Sequence, residues 1–276
     1  RDLGRLKEAE ISTRKAIELN PNFANAHFNL GNILKDIGRL EEAEISYRKV
    51  IKLNPNFANV HSNLGNIFTD IGRLEEAEIS YRKAIKLNPN FAVAHSNLGS
   101  ILKDLGRIEE AEISTRKAIA INPNFVNAHF NLGIILKDLG KLQDAFDSYQ
   151  RVIDIDPKFS KIYPTIIEFL KNSDLSQFKK IELKKILTIL LEKNDISHKE
   201  LFKIFKFLYS DGIINNLDPL DPDSLKNEFI FNDKLFINAL KKLVFIDPKL
   251  EAQLVKIRKK ICDLIAKNEY TFKESG

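Results

Sequence analysis

One short string constrains the fold of this chain more than any other feature. A tetrapeptide of the form Asp-Leu-Gly-Arg, or a near relative, begins at Asp2, Asp36, Asp70, Asp104 and Asp138, each 34 residues after the last. A second string, NPNF, begins at Asn20, Asn54, Asn88 and Asn122 and decays to DPKF at Asp156. Residues 36–69 and 70–103 are identical at 28 of 34 positions. Near-identical units present near-identical surfaces to their neighbours, so the chain is expected to stack as an array rather than wrap around one central core.

Within each unit the apolar spacing predicts two amphipathic helices. In residues 24–37, His27, Leu30, Gly31 and Leu34 fall on one face at helical spacing. Gly38 supplies the left-handed residue that ends this helix. A second helix over 40–53 is expected to bury Leu40, Ala43, Tyr47, Val50 and Ile51, and Asn54-Pro55 stops it because proline brings no donor and restricts the residue before it. Gly31 and Ala43 are small where the two helices must approach closely.

The pattern His27-x2-Leu30-Gly31-x2-Leu34, Ala43-x3-Tyr47, Pro55 resembles the tetratricopeptide (TPR) repeat, with histidine where that family usually carries tryptophan. It returns from His61 to Pro89, from His95 to Pro123 (with Thr115 at the tyrosine position) and from His129 to Pro157. The AHSNLG and NPNFA strings are similar to the repeat array of O-linked N-acetylglucosamine transferases. The resemblance implies an all-α fold, a right-handed helix-turn-helix solenoid closed by a C-terminal helical cap. The expected organisation is a TPR array over 1–172 and a helical extension over 173–276. The array comprises a half unit at 1–23, four full units at 24–159 and a capping helix at 160–172. The half unit holds only a second helix, so the array is expected to continue upstream of Arg1.

Beyond residue 172 the period vanishes while helical signals persist over 177–193, from Ser197 to about Ser210, over 233–245 and over 248–268, with a loop near 215–224. Ser197 to Glu200 reads as a capping box, and Asp211-Gly212 as the end of the helix it opens. This extension resembles helical segments that join TPR arrays to C-terminal catalytic domains, often methyltransferases, in bacterial multidomain proteins.

The candidate site lies on the first helix of each unit, on the side away from the histidine. At about 100° per residue this face carries Asn25, Phe28, Asn29, Asn32 and Lys35; then Asn59, Asn63 and Asn66; then Asn97 and Lys103; then Asn127, Phe130, Asn131 and Lys137. In TPR proteins this face lines a concave groove, which makes Asn29, Asn63, Asn97 and Asn131 a ladder along it. A primary amide offers donors and acceptors together, so such a ladder suits peptide backbone. Phe28 and Phe130 add apolar contact. A clamp for a terminal carboxylate is not expected, because Phe28, Ser62, Ser96 and Phe130 stand where it would need lysine.

Other chemistries find less support. His27, His61, His95 and His129 are 34 residues apart, and neighbouring units stack about 10 Å apart, too far for a shared metal shell. No metal site, cofactor, nucleophile or acid–base pair is expected. The acidic strings at 41–44 and their copies read as solvated charge near a helix N-terminus. Net charge is +5 from 43 basic and 38 acidic residues, too weak a surplus for nucleic acid. No apolar stretch is long enough for a membrane span. A single cysteine, Cys262, excludes an intramolecular disulfide framework and fits a reducing compartment, here the cytoplasm. The expected function is that of a non-catalytic scaffold binding a protein or peptide in the groove, with self-association through similar unit surfaces. The alternative is the substrate-recognition part of a methyltransferase or glycosyltransferase whose catalytic domain lies beyond Gly276.

Overall fold

The computed structural model describes residues 3–193, 196–215 and 233–242, with residues 251, 252, 255 and 259 beyond them. It divides into two compact units, Arg1–Pro157 and Lys158–Gly276. Among the described residues there is no strand, and no helix is long and apolar enough to cross a membrane.

The first unit is a run of antiparallel helical hairpins. Its helices are α1 (Leu3–Leu19), α2 (Ala24–Asp36), α3 (Leu40–Leu53), α4 (Ala58–Asp70), α5 (Leu74–Leu87), α6 (Ala92–Asp104), α7 (Ile108–Ile121), α8 (Val126–Asp138) and α9 (Leu142–Ile155). The glycine turns behave as the sequence predicts. Gly38 has φ of 82°, its N–H donates to Lys35 at 3.0 Å and that of Arg39 donates to Leu34 at 2.8 Å, which is a Schellman closure. The asparagines of the NPNF turns have their own task, since Asn54 Oδ1 accepts from the Asn56 N–H at 3.3 Å and Asn88 Oδ1 from Asn90 at 3.1 Å.

Inside three of the four full hairpins the aromatic ring of the second helix lies on the glycine of the first. A Cβ added at Gly31 would sit 2.5 Å from Tyr47, and one at Gly65 would sit 2.7 Å from Tyr81. Leu64, Ile67, Leu98 and Ile101 continue the core from one hairpin to the next. The histidines pack beside it, and each ring is tied to the preceding turn: Nε2 lies 3.2 Å from the Pro55 carbonyl for His61 and 3.0 Å from that of Pro89 for His95. The third full hairpin departs from the others. Thr115 takes the tyrosine position, is fully buried, and its Oγ1 has no hydrogen-bond partner among the described residues. Thr115→Val removes that orphan hydroxyl and is expected to stabilise the fold by about 1 kcal/mol in urea titration; a loss of similar size would show that the hydroxyl is satisfied after all.

The acidic strings are not simply solvated, which corrects the sequence expectation. Glu44 pairs with Arg48 on its own helix at 2.7 Å and with Arg73 of the next unit at 3.0 Å. Glu78 does the same with Arg82 at 2.8 Å and Arg107 at 2.7 Å, and Glu112 with Arg116 at 2.8 Å and Lys141 at 2.7 Å. Each of these carboxylates is only 14–15% exposed, so it joins consecutive units. Partial burial alone would raise the Glu78 carboxyl, but hydrogen bonds from Arg82 and Arg107 outweigh it and hold the group below its ordinary value. The Glu112 carboxyl is lowered in the same way by Lys141 and Arg116. Burial also lowers His61, His95 and His129, against the opposing proline carbonyls.

All these groups have folded values depressed below the unfolded ones, so their stabilisation is present at high pH and lost as pH falls. The thermal midpoint is therefore expected to fall in two steps, first below the ordinary histidine value of 6.5 and again below the ordinary glutamate value of 4.5. Added salt should flatten the second step more than the first, because the ion pairs are partly exposed. Circular dichroism melts across pH check this, and a midpoint flat down to pH of about 5 would contradict it.

In the second unit, α10 spans Ile162–Asn172, α11 Lys180–Leu191, α12 Phe202–Asn215 and α13 Lys234–Lys242. The helix expected to cap the array, α10, is thus grouped with this unit. Lys203 closes the end of α10 by donating to the carbonyls of Lys171 at 2.7 Å and Ser173 at 2.6 Å. Tyr209 and Lys184 both reach Asp233, at 2.9 Å and 2.7 Å, beside the stacked rings of Phe205 and Phe236. Two sequence expectations are corrected here. Ser197 makes no capping hydrogen bond and precedes a short 3-10 turn, His198–Leu201, and α12 runs through Asp211-Gly212 instead of ending there. Asn215, the first residue of the expected loop at 215–224, still belongs to α12, while the rest of that loop, most of the expected helix at 248–268, and Cys262 lie outside the described residues.

Candidate functional site

The even-numbered helices present the predicted asparagine face, and consecutive units are joined along it by amides. Tyr47 Oη donates to Asn32 Oδ1 at 2.7 Å, and Asn63 Nδ2 of the next unit donates to the same oxygen at 3.0 Å. The motif repeats one unit on, where Tyr81 Oη donates to Asn66 Oδ1 at 2.8 Å and Asn97 Nδ2 donates to it at 2.9 Å. Burial pushes the Tyr47 phenol up to about 12, so it remains a proton donor at neutral pH.

These bonds fix which polar groups remain. Asn66 Oδ1 has both lone pairs engaged, which leaves its Nδ2 protons with no partner among the described residues. Asn97 directs its amide N–H groups at Asn66 and the Tyr81 phenol, and its carbonyl oxygen has no partner among the described residues. Free donors therefore sit beside free acceptors. A cavity of about 430 Å³ opens at this point, lined by Lys35, Asn66, Thr69, Tyr81, Asn97 and Ser100. Asp70 also reaches it. Thr69 stands where other units carry Lys35, Lys103 or Lys137, and the shorter side chain leaves room.

The other predicted positions divide into groups. Asn25, Asn59 and Asn127 are exposed in the first turns of α2, α4 and α8, and Asn29 is exposed in mid-helix. Asn131 reaches only Ser96, at 3.4 Å, because Ser100 replaces the asparagine its counterparts use. Phe28 is half-buried, its ring centroid 5.0 Å from that of Phe57 and 6.1 Å from that of Tyr47, so much of its surface packs internally. Phe130 lies 6.4 Å from Tyr149 in a similar arrangement. Ser62 and Ser96, expected on the same face, are buried. Lys103 pairs with Asp104 at 2.7 Å and Lys137 with Asp138 at 3.7 Å, whereas Lys35 makes no ion pair among the described residues. The sequence assigns Tyr47 to packing alone. The available signal was that a buried phenol needs a partner, and the asparagine fifteen residues earlier supplies it.

Among the described residues, no group of three or more His, Cys, Asp or Glu side chains could hold a metal ion. His198 Nε2 lies 3.2 Å from the Lys193 carbonyl.

Family models described as TPR repeat match residues 31–69, 65–106 and 99–140. Further tetratricopeptide repeat models match residues 1–23, 13–45 and 126–159. Together they account for residues 1–159. The chain belongs to the tetratricopeptide repeat family.

Solved structures give the same fold. The TPR array is similar to a MamA crystal structure at 25% identity and a TM-score of 0.53, covering 58% of this chain and 94% of that one. YrrB, described as a TPR protein with an unusual peptide-binding site, is 24% identical with a TM-score of 0.51 and coverage of 65% and 93%. A thermophilic TPR protein of Thermus thermophilus, TTC0263, is 21% identical with a TM-score of 0.52 and coverage of 61% and 92%. No curated protein matches the chain.

Proposed function

We propose that this TPR chain is a non-catalytic scaffold that holds an extended segment of a partner protein along α2, α4, α6 and α8. The observation that carries the reading is the pairing of spare donors on Asn66 with a spare acceptor on Asn97 at the mouth of one cavity. A peptide backbone presents the complementary alternation of carbonyl and N–H, whatever its side chains. The repeat spacing suits it too. Units about 10 Å apart match roughly three residues of extended chain at about 3.3 Å each, so every third residue meets an equivalent environment. Near-identical contacts then accumulate along one ligand. Lys35, which lines the cavity without an ion pair, favours an acidic side chain there.

Selection of unstructured peptides of roughly twelve residues, long enough at about 3.3 Å per residue to span the array, supplies a probe. Its affinity is then measured by fluorescence anisotropy. Asn97→Ala and Lys35→Ala are each expected to weaken binding by about five- to twentyfold, or about 1–2 kcal/mol. Affinity indifferent to both substitutions would remove this reading.

A further inference from the structure

The opposite face of the array, formed by the odd-numbered helices, carries a pattern that the groove does not use. Ile45 on α3, Ile79 on α5 and Ile113 on α7 are 67%, 67% and 70% exposed. Four residues before each stands an exposed glutamate, Glu41, Glu75 or Glu109, and four residues after each a lysine, Lys49, Lys83 or Lys117. None of these six charges makes an ion pair or hydrogen bond among the described residues, although the arginines and glutamates beside them are paired within the array. Four residues are about 6 Å of helix and lie on one side of it. Across the three helices the face therefore bears an acidic row, an isoleucine row and a basic row. The pattern is bounded: α1 has Lys7 at the acidic position, and α9 has Asp147 in place of isoleucine.

Clefts lie beside the isoleucine row. One of about 670 Å³ opens between α5 and α7 over Leu98 and Leu102, rimmed by Ile113. Another of about 490 Å³ opens between α1 and α3 over Leu30 and Leu34, rimmed by Ile45. At the equivalent place between them Phe68 replaces leucine, and its ring lies under Arg73 at 4.5 Å.

We propose that this face docks a second copy of the chain, with the helices of the two copies antiparallel across the interface. That orientation lays each acidic row over the partner's basic row and brings the isoleucine rows together beside the clefts. The parallel orientation would oppose acid to acid and base to base. Three helices about 10 Å apart, with about 12 Å from the acidic row to the basic row and the side chains at the margins, give a footprint on the order of 500 Å² per copy. A standard stable interface covers about 800 Å² per partner, so the dimer is weak and its equilibrium is visible across a concentration series.

Sedimentation equilibrium of the chain at low salt should show a reversible monomer–dimer equilibrium that weakens as salt rises. Three charge variants, each first shown by circular dichroism to be folded, test the geometry. Changing Glu41, Glu75 and Glu109 together to Lys, or Lys49, Lys83 and Lys117 together to Glu, should weaken self-association at least tenfold. Mixing those two variants should restore it. A third variant with both rows exchanged should self-associate like the parent yet fail to pair with it, because antiparallel docking then sets like charge on like. Pairing of that variant with the parent would overturn the orientation. A chain that stays monomeric throughout, or a dimer indifferent to all three variants and to Ile79→Asn, would overturn the proposal.

Discussion

Gly65→Ala is expected to destabilise the array by about 2 kcal/mol, although alanine is the better helix former. On an exposed helix the exchange gains about 1 kcal/mol. Here the new methyl would lie 2.7 Å and 2.9 Å from two carbons of the Tyr81 ring. Relieving that overlap means moving a ring that is 2% exposed and packed between hairpins, at a cost of about 3 kcal/mol. The propensity gain offsets part of this. In a Tyr81→Ala background the same substitution should lose its penalty and become favourable, a strong departure from additivity in urea titration. Stabilisation by Gly65→Ala in the parent would show that the hairpin does not depend on this close approach.

Asn66→Ala is expected to cost a similar amount by a different route, about 2 kcal/mol. It deletes one acceptor shared by two donors: the Tyr81 phenol, 2.8 Å away, is left with the longer contact to Thr69 Oγ1 at 3.3 Å, and the Asn97 amide, 2.9 Å away, loses its acceptor. Asn97→Ala removes one donor from a shared oxygen and should cost about 1 kcal/mol or less. The cycle formed by these two substitutions should be coupled, since Asn66→Ala has already broken the bond that Asn97→Ala would break. Additive losses would place the two amides in independent environments and leave the ladder without a part in joining α4 to α6.

The hairpins themselves were legible because their determinants are local. The proline after α3, the left-handed glycine at 38 and the apolar spacing of His27, Leu30 and Leu34 act within one unit, and the helix bounds follow them closely. What lay hidden was contact between units. Glu44 and Arg73 are twenty-nine residues apart, and nothing in that spacing says that a carboxylate on one helix reaches a guanidinium of the next unit. The same holds for the Asn32 and Asn63 amides, whose bond depends on how far one unit rises above another. The candidate face was legible as a face, but the burial of Ser62 and the packing of Phe28 on Phe57 depend on that same rise. In the second unit no period constrains the chain, and the local signs at Ser197 and Gly212 yield to packing: α12 continues past the glycine with Phe205 and Tyr209 held against Phe236.

The most direct test of the central claim is amide chemical-shift mapping of the selected peptide on the isotopically labelled chain. Binding along the groove predicts shifts concentrated on α2, α4, α6 and α8, with the side-chain amides of Asn66 and Asn97 among the largest. Shifts confined to the outer faces of α3, α5 and α7, or to the second unit, would contradict it.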